Sequence, residues 1–220
     1  MININKKKIK PTTRYATHKL VKATNQYVEE EEDRLTNLPE PLKVHILSLL
    51  RLKQAIRTSA LSKSWISLWT LIPNLDIDPY GSVTYKEGDF NEIVTKILDC
   101  RDKSVKLNKV TLHHYVSSSS KIWKTVFGYA LSNGVKELIA SIGSFENGGA
   151  WPDCLHDHTG LDSLTRLKLK SDTKISCRFL GQSSRSFKNL TNLYLRGAII
   201  TNNADSFSGF LALEKLTLCR

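Results

Sequence analysis

The chain has 220 residues, 40% hydrophobic and 24% charged, which allows one or two domains with a sizeable core and excludes a large multidomain machine. Its net charge is +11, unevenly distributed: residues 1–28 hold seven Lys or Arg and no acid, and residues 29–33 are all acidic. No apolar run approaches the roughly 20 residues of a membrane-spanning helix, and the lysines between Lys6 and Lys10 do not lead into the apolar stretch of a secretory signal. The expected setting is therefore intracellular, nucleus or cytoplasm, with no membrane partner. Cys100, Cys154, Cys177 and Cys219 lie far apart without a CxxC pair, so buried or free thiols are expected rather than a disulfide scaffold or a zinc ribbon.

Residues 1–33 lack apolar periodicity and segregate their charge into a lysine block and the run Glu29-Glu30-Glu31-Glu32-Asp33. Such blocks bury too little apolar surface to offset chain entropy, and a disordered charged leader is expected. Clustered lysines also attract phosphates and acidic receptors, but a solvated tail is the simpler reading.

The character changes at Arg34. Pro39 and Pro41 suit the first turn of a helix and Glu40 its positive end, so a helix is predicted from about Pro39 to Leu50. Leu42, Ile46 and Leu49 form one apolar stripe on it, and Val44, Leu47 and Leu50 an adjoining one. A helix this apolar needs more than one partner. A second helix is predicted over Lys53–Ser62 with Ile56 and Ala60 turned inward. Ser62 then caps a third, in which Trp65, Leu68, Trp69 and Ile72 recur at helical spacing. Leu49 and Trp69 are read as core of this bundle, while Trp65 fits core and contact equally. Three short helices bury little surface by themselves, and with no cysteine staple or metal-ligand cluster here, an apolar protein partner is expected.

The stretch Asp33-Arg34-Leu35-Thr36-Asn37-Leu38-Pro39-Glu40-Pro41-Leu42, then His45-Ile46-Leu47-Ser48, Ile56-Arg57-Thr58-Ser59, Leu61-Ser62-Lys63-Ser64-Trp65 and Leu68-Trp69, resembles the F-box of plant F-box/leucine-rich-repeat proteins. The resemblance implies a three-helix module that docks on a Skp1-type adaptor and so joins a cullin-based ubiquitin ligase. Carried over position by position, the adaptor-binding residues are Leu38, Pro39, Leu42, Ile46, Leu49 and Trp65. The sequence departs from the family pattern at Arg51-Leu52-Lys53-Gln54, where a proline stop and a Thr or Asp cap are usual, and at Ser64 and Ile66, where basic residues are usual.

The remainder repeats. Leu164-Thr165-Arg166-Leu167-Lys168-Leu169, Leu190-Thr191-Asn192-Leu193-Tyr194-Leu195 and Leu213-Glu214-Lys215-Leu216-Thr217-Leu218 follow L-x-x-L-x-L, with weaker copies at Val135–Ala140 and Lys109–Leu112. Taking Val110, Leu138, Leu167, Leu193 and Leu216 as equivalent, the steps are 28, 29, 26 and 23 residues, the period of leucine-rich repeats. Each copy supplies a short strand whose leucines enter a shared core while the alternate residues line the opposite face. Arg166, Lys168, Asn192, Tyr194, Lys215 and Thr217 are the outward positions, a polar to basic face. Leu75–Asp78 reads as a leading strand, Phe90–Leu98 and Ile122–Leu131 as outer helices, and Phe207–Leu211 as an outer helix or turn.

Gly134-Val135-Lys136-Glu137-Leu138, preceded by Trp123 to Ala130, also resembles the repeat region of that family, which implies that the repeats present a target protein. The fold expected is α/β: a disordered leader over 1–33, a three-helix F-box over 34–78, and a short open leucine-rich-repeat solenoid over 79–220. The stop at Cys219-Arg220, in or just after a repeat strand, suggests a truncated family member with a frayed end, since open solenoids need a polar cap.

Little points to other chemistry. Cys154, His156, Asp157 and His158 carry ligand types for zinc, but their spacing does not match a zinc loop and no second pair completes a tetrahedron. His113 and His114 alternate on a predicted strand and point to opposite faces. No G-x-S-x-G, H-E-x-x-H or Walker A sequence occurs, and the segment from Gly143 to Gly149 lacks the Lys-Ser/Thr of a phosphate loop. No catalytic residue, metal or cofactor is assigned. The leading expectation is a non-catalytic substrate receptor that binds a Skp1-type adaptor, through it cullin, and an unknown target. A basic nucleic-acid-binding protein and a repeat scaffold without adaptor activity are the alternatives.

Overall fold

The structure, a computed structural model, describes residues 34–60, 62–78, 87–114, 121–143, 151, 155, 159–177, 180, 187–200, 207 and 209–219. The leader expected over 1–33 and the cluster of Cys154, His156, Asp157 and His158 lie outside them. The chain divides into two compact units, residues 1–38 and 39–220. In the first, residues 34–38 form a turn in which the Leu38 N–H donates to the Leu35 carbonyl at 3.4 Å.

The second unit begins with α1, Glu40–Ser48, whose first turn holds Pro41 and whose N-cap is Pro39. Helix α2, Leu52–Ser59, starts without the usual Thr or Asp cap. The Gln54 side chain substitutes by accepting the Arg51 N–H at 3.4 Å, which marks the start of the helix in place of a proline stop. Its buried residues are Leu52, Ala55 and Ser59; Ile56 packs half-buried against the core, whereas Ala60 is exposed, which corrects the inward reading of Ala60. The predicted third helix is two short 3₁₀ turns, Lys63–Trp65 and Leu68–Leu71. Ser62 caps the first, its side chain accepting the Ser64 N–H as expected. Ser67 separates them with a left-handed backbone at φ 66°, which ends the helical path although Trp65, Leu68 and Ile72 all still reach the core.

Among the described residues six parallel strands follow in chain order: β1 Asn74–Ile77, β2 Lys109–His114, β3 Glu137–Ile142, β4 Arg166–Ser176, β5 Asn192–Ile199 and β6 Lys215–Cys219. Helix α3, Glu87–Asp99, lies in the chain between β1 and β2, and α4, Lys121–Ser132, between β2 and β3. Parallel neighbours require such crossovers. The register places Leu75, Val110, Leu138, Leu167, Leu193 and Leu216 side by side across the sheet, the last five being the residues that the repeat spacing makes equivalent.

Backbone bonds just ahead of the strands lock successive copies together. The Glu137 N–H donates to the Asn108 carbonyl at 2.9 Å, the Thr165 N–H to the Lys136 carbonyl at 2.8 Å, and the Asn192 N–H to the Thr165 carbonyl at 3.1 Å. The side chains of Thr165 and Thr191 add parallel bonds to the same carbonyls. Helix α4 packs Trp123 edge-on to Phe127 and Trp151, centroids 5.6 and 5.8 Å apart. It ends at Gly134 in the left-handed conformation, with Val135 donating back to Ala130 at 3.1 Å.

One hydrophobic core runs through this unit from Leu47 in α1 to Phe210 before β6. Arg101 is buried in it, its guanidinium donating to the Ile72 carbonyl at 2.7 Å and to the Tyr129 hydroxyl at 3.3 Å. That bond ties the end of the helical segment to α4. Among the described residues no helix is long and apolar enough to cross a membrane.

Candidate partner-binding surfaces

Helix α1 is apolar on two sides, and the fold uses only one. Leu47 is 0% exposed, with Lys43 buried beside it and Val44 and Leu50 half-buried against the core. Leu42 is 50% exposed and Leu49 73% exposed; Ile46 lies between them along the helix and is itself half-buried against the core, and Pro39, exposed at the start of the helix, precedes them at the same spacing. The reading of Leu49 as bundle core is therefore corrected: it is the C-cap residue that follows α1, and its side chain faces solvent. Trp65 is 6% exposed and belongs to the core, and Trp69 is half-buried against it. Leu38, in the preceding unit, is half-buried. The structure thus brings Leu42, Ile46 and Leu49 onto one face and turns Trp65 away from it.

The second surface is the outward face of the sheet. In β4 and β5 the leucines at 167, 169, 193 and 195 are buried, which leaves Arg166, Lys168 and Lys170 on β4 and Asn192, Tyr194 and Arg196 on β5 outward, beside Lys215 on β6. The Lys168 ammonium stands 4.7 Å from the centre of the Tyr194 ring. Arg166 pairs with Glu137 at 3.1 Å and Arg196 with Asp172 at 3.5 Å. A hydrogen bond with the Cys219 side chain, chiefly, holds the Tyr194 phenol above its ordinary pKa. The six outward positions expected from the sequence, Arg166, Lys168, Asn192, Tyr194, Lys215 and Thr217, share this face. Lys170 and Arg196, one row further along the same strands, were missed because they fall after the L-x-x-L-x-L core; the continued alternation marks them.

Strand β4 carries a bulge between Lys170 and Ile175, opposite Gly197 of β5. Gly197 has φ 70°, and a Cβ there would meet the carbonyl oxygens of Ser171 and Thr173 at 2.6 Å, so only glycine fits. The bulge begins at the row that holds Lys170 and Arg196 and carries Asp172.

At the sheet's last strand, Leu218 is 51% exposed where its register partner Leu195 is 0% exposed. A cavity of about 290 Å³ between α2, β1 and α3 is lined by Leu52, Ile56, Ile77, Phe90 and Val94 among others. Among the described residues no three His, Cys, Asp or Glu side chains converge as metal ligands. Cys177 is buried, which pushes its thiol up to about 12, whereas Cys100 is exposed.

The F-box domain family matches residues 35–76, the segment that runs from the turn before α1 through β1. The chain carries an F-box and is homologous to plant F-box/leucine-rich-repeat proteins. An F-box/LRR-repeat protein of Arabidopsis thaliana is 33% identical over 135 residues, 61% of this chain and 44% of its own length. A second is 30% identical over 199 residues, 84% of this chain and 41% of its own. An F-box/FBD/LRR-repeat protein of the same plant is 54% identical over 55 residues, 25% of this chain and 13% of its own. The chain spans less than half the length of these relatives. No solved structure matches it.

Proposed function

We propose that this chain is the substrate-receptor subunit of a Skp1–cullin–F-box ubiquitin ligase. Its F-box, within residues 34–78, holds a Skp1-type adaptor. Its repeats, residues 79–220, form a short open solenoid whose strand face holds a target protein. The transfer chemistry belongs to other subunits. The chain acts by proximity, raising the effective concentration of target lysines near a charged ubiquitin carrier, inside the nucleus or cytoplasm.

The observation that carries this reading is the solvent-facing apolar stripe of α1 inside the segment that matches the F-box. Exposed leucines on a helix whose other side is already packed are surplus to folding, and apolar anchors of this kind dominate binding energy at interfaces. The adaptor-binding residues are taken as Leu38, Pro39, Leu42, Ile46 and Leu49, with Trp65 supporting the module from within the core. Co-expression with a Skp1-type protein tests the reading: a stoichiometric complex on gel filtration is expected, and a folded chain that elutes alone contradicts it.

A further inference from the structure

The target class can be narrowed from the outward face of the sheet, an inference that rests on the receptor reading above. On β4 the cations Arg166, Lys168 and Lys170 recur at every second residue, a repeat of about 6.6 Å along an extended chain. Arg196 stands in register beside Lys170, and Lys215 lies two strands from Arg166 in the same row. Arg166 and Arg196 each have a carboxylate, from Glu137 and Asp172. Lys168, Lys170 and Lys215 have no carboxylate partner among the described residues. The half of the face built by β1 to β3 differs: its outward residues include Asp76, Thr111, Glu137 and Ile139, with Lys109 and His113 between them.

We propose that β4 to β6 dock an extended acidic segment of the target, with Asp or Glu at alternate positions running along β4 and reading Lys168 and Lys170. The repeat of such a segment equals that of the strand, so consecutive carboxylates meet consecutive lysines. Asp172 closes the strip beyond Lys170, which limits the acidic run to a few residues and repels a longer one.

The surface favours a polypeptide over a nucleic acid. Single strands bind through stacking platforms combined with a continuous cationic groove. Here the Tyr194 ring face is occupied by Lys168, and Glu137 and Asp172 interrupt the positive field.

The test is fluorescence anisotropy on the full chain, with a labelled peptide of alternating glutamate and serine, a same-composition peptide with its glutamates clustered at one end, and a single-stranded RNA of equal charge. The alternating peptide should bind tightest. The K168Q/K170Q variant, with unchanged thermal melting, should bind it about tenfold more weakly. K103Q/K124Q, which removes the same charge from exposed sites elsewhere, should bind it as wild type does. Equal binding of the two peptides, tighter binding of the RNA, or no loss in K168Q/K170Q overturns the proposal. Adaptor binding is measured separately on the same variants, so its loss would remove the receptor reading and leave the acidic strip to be judged by the peptide alone.

Discussion

Helix α1 and strands β4 and β5 handle apolar residues in opposite ways. In the strands the alternation is used completely: leucines at 167, 169, 193 and 195 are buried, and the residues between them are polar or charged. In α1 the apolar residues outnumber the places the core offers, so Leu47 is enclosed while Leu42 and Leu49 remain in solvent. Over those residues the strand face is fixed by a period of two and leaves no leucine in surplus, unlike β6, where Leu218 is exposed. A helix with two apolar stripes can satisfy one from within and hold the other for a second protein.

The sharpest way to break that comparison lies on α1 itself. Leu47→Ala should cost about 2–5 kcal/mol in denaturant unfolding, the range for a fully enclosed leucine, whereas Leu49→Ala two residues later should stay within about 0.5 kcal/mol. Equal costs would show that the outward stripe is structural after all. In the sheet, Gly197→Ala should destabilise by about 1–3 kcal/mol, because the new Cβ meets two carbonyl oxygens and the backbone is left-handed. A fully tolerated substitution would mean that the β4 bulge is not pinned there. Removing the exposed Arg166–Glu137 pair with Arg166→Gln should cost no more than about 1 kcal/mol. A larger loss would make the outward face part of the scaffold.

The repeat register was legible because L-x-x-L-x-L ties leucine identity to strand phase: aligning Leu138, Leu167, Leu193 and Leu216 by spacing reproduces their pairing in the sheet. The helical segment was less so. Trp65, Leu68, Trp69 and Ile72 have helical spacing, yet Ser67 breaks the helix, and serine carries no signal for a left-handed backbone comparable to that of glycine. On α2 the sequence turns Ile56 and Ala60 inward, whereas the buried positions include Ala55 and Ser59, with Ile56 packed half-buried beside them. On α1 the pattern showed two stripes but not which one the fold would claim, because that depends on the elements packed against it. The bulge in β4 left one trace, Gly197 on the neighbouring strand.

The proposed role of the outward stripe of α1 is to bind an adaptor rather than to stabilise the fold. It is tested most directly by the Kd between the full chain and a Skp1-type adaptor, for wild type and for Leu42→Asp with Leu49→Asp, with the Tm of each chain measured alongside. A loss of about a hundredfold or more in affinity at an essentially unchanged Tm is expected. An unchanged Kd, or a fall in Tm large enough to account for the lost binding, would contradict it.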